Sequence, residues 1–168
     1  MSWLASLFGK DQAQQKVEPT SFILRQGKYV PVGDAFSAWT SGDINEMLEA
    51  ESTKTNSVDR HYFLQSIVGE AYKLRKDEKY KQLCIEYADK HLREFPSIVQ
   101  VLKDEVGGIL PRVTIFQHYA IVLAENGEYG KAIKVCKQAI EYGLYDNTKS
   151  GFEGRITRIK KMAEKEKA

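Results

Sequence analysis

Residues 116–144 constrain the fold more than any other part of this sequence. The segment reads FQHYAIVLAENGEYGKAIKVCKQAIEYGL and divides at Asn126 and Gly127 into two halves, each with apolar residues at helical spacing. These residues are Phe116, Tyr119, Ala120 and Leu123 in the first half, and Tyr129, Ala132, Ile133, Cys136, Ala139 and Ile140 in the second. The alanines allow two antiparallel helices to approach closely around the larger rings. The segment therefore predicts a helical hairpin.

This hairpin resembles a tetratricopeptide repeat (TPR). The TPR pattern has an aromatic residue, a small residue four positions on, Gly-x-Tyr at the turn, and then two alanines seven positions apart. The matching residues here are Phe116, Ala120, Gly127, Tyr129, Ala132 and Ala139. Gly143 and Leu144 replace the usual closing proline, which predicts a left-handed glycine stop. The resemblance implies an all-α fold, in which antiparallel helix hairpins form a right-handed superhelix.

A second hairpin is predicted over residues 61–95, where Gly69, Ala71 and Tyr72 match the Gly-x-Ala-Tyr of the repeat. Its turn, residues 75–79, lacks glycine and departs from the pattern. We expect its second helix to end at Phe95-Pro96, as in the TPR pattern, because proline interrupts helices. A separate short helix is expected to start at Ser97 and to end at Gly107-Gly108.

The chain divides into three regions. Residues 1–20 form a short amphipathic segment and a polar linker; residues 21–58 form an extended linker, over 21–31, and a degenerate helical hairpin. Residues 59–166 form the TPR-like domain, which ends in a capping helix with a polar outer face. Ser57 or Asp59 is expected to cap the helix that opens this domain.

An apolar stripe marks the N-terminal segment, and its residues are Trp3, Leu4, Leu7 and Phe8. Such a stripe suits a membrane surface or a partner protein. The alternative is that it packs on its own domain. Only Lys10 is basic nearby, so attraction to an anionic membrane is weak, and the segment is too short and too weakly charged for a signal peptide.

Composition sets broad limits on function. Hydrophobic residues make up 42% of the chain and charged residues 29%, with a net charge of +2, which favours no particular partner. No apolar run is long enough to span a membrane. Cys84 and Cys136 lie at apolar helix positions without ligand spacing, so we expect buried, reduced thiols and a cytoplasmic location.

No motif for catalysis, metal or cofactor binding stands out. The three histidines, His61, His91 and His118, have no metal-binding spacing and no nucleophile motif beside them, with His91 expected near a helix end. We therefore predict that the chain is not an enzyme and needs no cofactor. A weak anion site formed by Lys149 and Arg155 is left open.

The TPR resemblance implies a concave groove lined by the first helix of each hairpin. The predicted groove residues are Ser66, Glu70, Lys73, Gln117, Ile121, Arg155 and Arg158, with Ala124 beside them. TPR proteins that bind chaperones hold a C-terminal carboxylate with a Lys and Asn pair, but here Gln117 and Ile121 stand at those positions. This departure favours an amphipathic helix or an extended peptide as the ligand.

These features together predict an adaptor or scaffold that binds a peptide or helix of a partner protein. One alternative is a peripheral membrane or assembly factor that uses the N-terminal stripe. Another is nucleic-acid binding through the basic last helix, although it lacks interleaved aromatic residues, so no nucleic-acid partner is expected. Self-association is left open.

Overall fold

The computed structural model describes residues 21–168, and the predictions for the N-terminal stripe (Trp3, Leu4, Leu7 and Phe8) and for residues 1–20 lie outside them. A β-hairpin comes first, with strands β1 (Phe22–Arg25) and β2 (Lys28–Pro31). Seven helices follow in this part of the chain: α1 (Asp34–Ser41), α2 (Ile44–Glu49), α3 (Ser57–Lys73), α4 (Glu78–Glu105), α5 (Ile115–Glu125), α6 (Tyr129–Glu141) and α7 (Gly151–Lys167). The prediction of a predominantly helical fold is confirmed, and the small sheet was not predicted.

Successive helices pack as pairs around one core. Helix α3 packs on α4, and α5 packs on α6, with short connections that turn the chain back. Helix α5 also contacts α3 and α7, so these three helices are neighbours. The two short helices α1 and α2 contact each other and pack on α3, at the position of the predicted degenerate hairpin.

The central hairpin, α5 and α6, forms as predicted. Ala120, Ala132 and Ala139 are fully buried, which allows the close approach of the two helices. Gly143 has φ +69°, and the next amide, of Leu144, donates to the carbonyl oxygen of Ala139 at 2.9 Å. This is the left-handed glycine stop expected from the sequence.

The expected extended linker over 21–31 is instead an antiparallel hairpin, with Ile23 paired to Val30 and Arg25 to Lys28. Gln26 and Gly27 both have positive φ, which suits a tight two-residue turn. Each strand has only four residues, so neither is evident without its partner. The tip of the hairpin is held by the main body, because Glu105 accepts a hydrogen bond from the Gln26 amide at 2.6 Å.

Helix α4 continues through Pro96, so the predicted stop at Phe95-Pro96 and the separate helix from Ser97 are wrong. The reason lies in the core. Phe95 and Leu102 are fully buried and Ile98 is nearly so, at the i, i+3, i+7 spacing of one helical face. Burial of this face outweighs the local penalty of the proline. The predicted glycine end is confirmed after Glu105, where Gly108 donates to the carbonyl oxygen of Lys103.

Helix α3 starts at Ser57, two residues before the predicted domain boundary, and its cap is Asn56 rather than Ser57 or Asp59. The Asn56 side chain accepts a hydrogen bond from the Asp59 amide at 2.9 Å. The Asp59 carboxylate is thereby free to hold Arg25 of the β-hairpin, with Nη2 at 2.6 Å. Asp59 therefore binds Arg25, which is distant in sequence, and does not cap the helix.

The last helix, α7, packs on α6 and buries its Phe152 and Ile159, while most of its charged residues are exposed. A polar outer face is what a capping helix needs, and the capping role of α7 stays a prediction. Cys84 and Cys136 are buried and form no disulfide. None of the helices within residues 21–168 has the length and apolar character needed to cross a bilayer.

Candidate functional site

The neighbouring helices α3, α5 and α7 form the candidate site, which we call the helical groove. A cavity of about 230 Å³ lies between α5 and α7. Its lining residues are Ile121, Ala124, Glu125, Arg155, Arg158, Ile159 and Met162. The structure thus brings together four predicted groove residues from two helices: Ile121, Ala124, Arg155 and Arg158.

The other predicted groove residues do not line this cavity. On α3, Lys73 Nζ lies 2.6 Å from Glu70 Oε1, so these two charges are paired with each other. Ser66 on α3 and Gln117 on α5 are half-buried. The predicted set is therefore divided between the α5–α7 cavity and the surface of α3.

A ring stack joins the two parts of the helical groove. The imidazole of His118 on α5 stacks on the Tyr72 ring of α3, with centroids 4.1 Å apart and planes at 13°. The guanidinium of Arg75 lies over the Tyr72 ring, 4.1 Å from its centroid. It also donates hydrogen bonds to both carboxylate oxygens of Glu125, at 2.9 and 3.0 Å. These contacts fix α3 against α5.

Sequence reasoning did not assign His118 and Tyr72 to the groove. The signal for His118 was its spacing, since His118, Ile121 and Glu125 stand at i, i+3, i+7 on one face of α5. For Tyr72, the match to the TPR pattern suggested a packing residue, and nothing in the sequence showed that its ring meets a histidine.

The environment of His118 disfavours a positive charge on its ring. Burial lowers the pKa of His118 to about 4, and the nearby charges of Arg112, Arg75, Arg155 and Lys73 lower it in the same direction. The ring is therefore neutral at pH 7. Its buried Nδ1 has no hydrogen-bond partner among the residues that the structure describes.

Arg155 is held by a buried carboxylate. Its Nη2 and Nε lie 2.6 and 3.1 Å from Oδ2 of Asp146, whose side chain is fully buried. Burial alone would raise the pKa of Asp146, but hydrogen bonds from Thr148 and Arg155 outweigh it and lower that pKa. Arg155 is thus engaged within the fold, and the anion site with Lys149 is not supported.

Arg158 has a different environment. Its Nη1 donates to Ser150 Oγ at 3.1 Å, and the side chain is exposed at the rim of the cavity. Within residues 21–168 no carboxylate forms a salt bridge with it. The cavity therefore combines an apolar floor, formed by Ile121, Ile159 and Met162, with an available positive charge at one edge.

The remaining histidines lie outside the groove. His61 on α3 and His91 on α4 are fully buried, and their Nδ1 and Nε2 atoms are 2.8 Å apart. Because α4 continues to Glu105, His91 is in the middle of a helix and not near its end. The part of the chain described here contains no group of three or more His, Cys, Asp or Glu side chains that could hold a metal ion.

The chain is similar to an uncharacterized protein of Aquifex aeolicus (strain VF5), with 29% identity over 118 residues. The similarity covers 68% of this chain and 53% of the relative, so the chain matches about half the length of that protein. No protein-family model matches the sequence, and no solved structure matches it. We therefore infer function from the geometry of the helical groove.

Proposed function

We propose that this chain is a non-enzymatic interaction module, an adaptor or scaffold that holds a peptide or helix of a partner protein in the helical groove. The observation that carries this proposal is the cavity between α5 and α7. It has an apolar floor, and the guanidinium of Arg158 at its rim forms no salt bridge within residues 21–168. Cavities with a mostly apolar lining and a few polar groups that fix orientation are typical of binding sites.

The proposed ligand follows from this chemistry. One apolar side chain of the partner enters the space between Ile121 and Met162. An acidic group one helical turn away, at i+3 or i+4, pairs with Arg158. An amphipathic helix or an extended peptide with acidic residues meets both requirements.

We further propose that the helix pairs form a TPR-like right-handed superhelix, with α3, α5 and α7 on its concave side. The TPR-type residues of the central hairpin and the contacts of α5 with both α3 and α7 support this arrangement. Two buried thiols that form no disulfide suit a reducing, cytoplasmic setting. No nucleic-acid partner is proposed.

The proposal is tested by capture of partners from a native extract with the intact protein and two groove variants. Ile121→Glu places a charge on the floor of the cavity, and Arg158→Glu reverses the charge at its rim. Lys160→Glu is the matched control, because Lys160 is an exposed cation on the same helix that does not line the cavity. Circular dichroism and thermal unfolding establish that each variant is folded.

We expect a partner that the intact protein and Lys160→Glu retain and that both groove variants lose. Equal retention by all four proteins would refute the helical groove as the binding surface. Equal loss with Arg158→Glu and Lys160→Glu, together with steep salt dependence, would indicate nucleic-acid binding through α7. Loss only on deletion of residues 1–10 would assign function to the N-terminal stripe.

A further inference from the structure

The β-hairpin turns an apolar face to solvent. In its register Phe22 is opposite Pro31, and Leu24 is opposite Tyr29, so these four side chains share one face, which we call the outer face. Phe22 is 58% exposed, Leu24 50% and Tyr29 76%. No described residue covers them.

The opposite face of the hairpin contacts the main body. Ile23 and Val30 are half-buried there, and Arg25 is bound to Asp59. When one face of an antiparallel sheet packs on a core, the other face usually carries polar residues. Here the face toward the main body carries Arg25 and Lys28 beside Ile23 and Val30, whereas the outer, exposed face is apolar throughout, which reverses the usual pattern.

Residues 3–8 have the matching chemistry. Their stripe of Trp3, Leu4, Leu7 and Phe8 is apolar, and residues 9–21, which connect it to the hairpin, are mostly polar. At full extension residues 9–21 span at most about 45 Å, so the stripe is within covalent reach of the adjacent hairpin. Such tethering gives an effective concentration on the order of millimolar, which favours a site in the same chain over one on a second copy.

The charges near the stripe favour docking on a protein surface over binding to a membrane. Lys10 is the basic residue next to the stripe, and Asp11 follows it at once. Stable membrane attachment of a short segment needs several cations or a second anchor. The outer face of the hairpin needs only apolar contact. We propose that the N-terminal stripe docks on the outer face of the β-hairpin within the same chain.

Tryptophan fluorescence of the full chain tests this proposal. The sequence has two tryptophans, Trp3 and Trp39, so Trp39→Phe leaves Trp3 as the single reporter. In this background we expect blue-shifted emission of Trp3 and weak quenching by acrylamide, compared with a peptide of residues 1–20. Both properties should be unchanged on dilution.

If the proposal holds, each of two double variants exposes Trp3 to solvent. Leu24→Thr with Tyr29→Thr makes the outer face polar, while a Thr–Thr pair across the strands keeps the hairpin. Leu7→Ser with Phe8→Ser weakens the stripe and leaves the hairpin sequence untouched. Each should shift the emission to that of the peptide and raise the quenching constant severalfold. Tyr145→Thr, at an exposed site between α6 and α7, is the matched control and should change neither.

Other results would overturn the proposal. Peptide-like exposure of Trp3 in the Trp39→Phe protein would show that the stripe does not dock. Shielding that disappears on dilution would assign the outer face to a second copy of the chain. Shielding that appears only with vesicles of anionic and neutral phospholipid would assign the stripe to a membrane, and shielding that survives the two threonine changes would place its site elsewhere.

Discussion

His61 on α3 and His91 on α4 share one hydrogen bond in the core, with Nδ1 of the first 2.8 Å from Nε2 of the second. One ring nitrogen donates and the other accepts, so the two rings cannot both carry a positive charge. Burial lowers the pKa of His61 to about 4. Burial, with the charges of His61 and Arg60, lowers the pKa of His91 well below its usual value.

This pair makes stability depend on pH. The folded-state pKa of each ring lies below the unfolded value of about 6.5, so the unfolded chain binds more protons between pH 6.5 and 4. The free energy of unfolding should be level above pH 6.5 and fall as the pH decreases toward 4. For His61 alone the loss is on the order of 3 kcal/mol, since one pKa unit corresponds to about 1.4 kcal/mol.

Urea unfolding at several pH values measures this effect. The double variant His61→Gln, His91→Gln keeps amide groups that can bond each other and removes both titrating rings. Its unfolding free energy should decrease less over the same range than that of the intact protein. Identical pH profiles for the two proteins would exclude the histidine pair as the cause. His118→Gln is a useful comparison, because it removes one titrating ring from the groove and leaves the core pair in place.

Arg155 and Arg158 should differ in their effect on stability. Arg155→Ala leaves the fully buried carboxylate of Asp146 without its charged partner and should cost about 3–5 kcal/mol. Arg158→Ala removes an exposed side chain and should change the free energy of unfolding by less than about 0.5 kcal/mol. Urea unfolding of both variants at pH 7 checks this. Similar losses would mean that the buried pair does not support the α6–α7 connection.

Pro96 lies within α4, where it lacks the amide hydrogen that would donate to the carbonyl of Leu92, four residues earlier. Pro96→Ala restores that donor and should stabilise the protein by about 1–3 kcal/mol. The measurement is the shift in thermal midpoint. Gln100→Ala, on an exposed position of the same helix, serves as the control with little expected change. A lower midpoint for Pro96→Ala would show that the packing of Phe95 needs the local backbone geometry set by the proline.

The two thiols should be inert in the folded protein. Burial raises the pKa of Cys84 to about 12, with Glu125 adding to the rise and Arg75 opposing it, and burial raises the pKa of Cys136 to about 11. Since the thiolate is the reactive form, a thiol reagent at pH 8 should label neither residue until denaturant is added. Both should then react. Rapid labelling of Cys136 in the native protein would indicate opening of the α6–α7 contact.

Local sequence patterns predicted the helices well wherever apolar spacing and glycine stops agree. The central hairpin is the clearest case, because Gly127 and Gly143 end α5 and α6 and the three alanines stand at the close contacts. Part of the candidate site could also be predicted from the sequence. The TPR resemblance assigned Ile121 on α5 and Arg158 on α7 to the groove, and the structure places both at one cavity.

Other features depended on residues distant in sequence. The rule that proline ends a helix was wrong at Pro96, since burial of Phe95, Ile98 and Leu102 provides more free energy than the missing hydrogen bond removes. The short strands before α1 need each other and the bond from Arg25 to Asp59. Neither condition appears within a window of a few residues.

The sequence by itself determined where the main helices form, how the central hairpin closes and which helix faces are apolar, because these follow from local spacing and backbone preference. Only the tertiary structure decided which charged side chains form salt bridges within the fold. Asp146 neutralises Arg155 and Glu125 engages Arg75, whereas Arg158, at the rim of the cavity, pairs with no carboxylate in the described part of the chain. The reason is physical: the charge that a side chain presents depends on the partner that the fold brings within hydrogen-bond distance, and sequence spacing does not specify that partner.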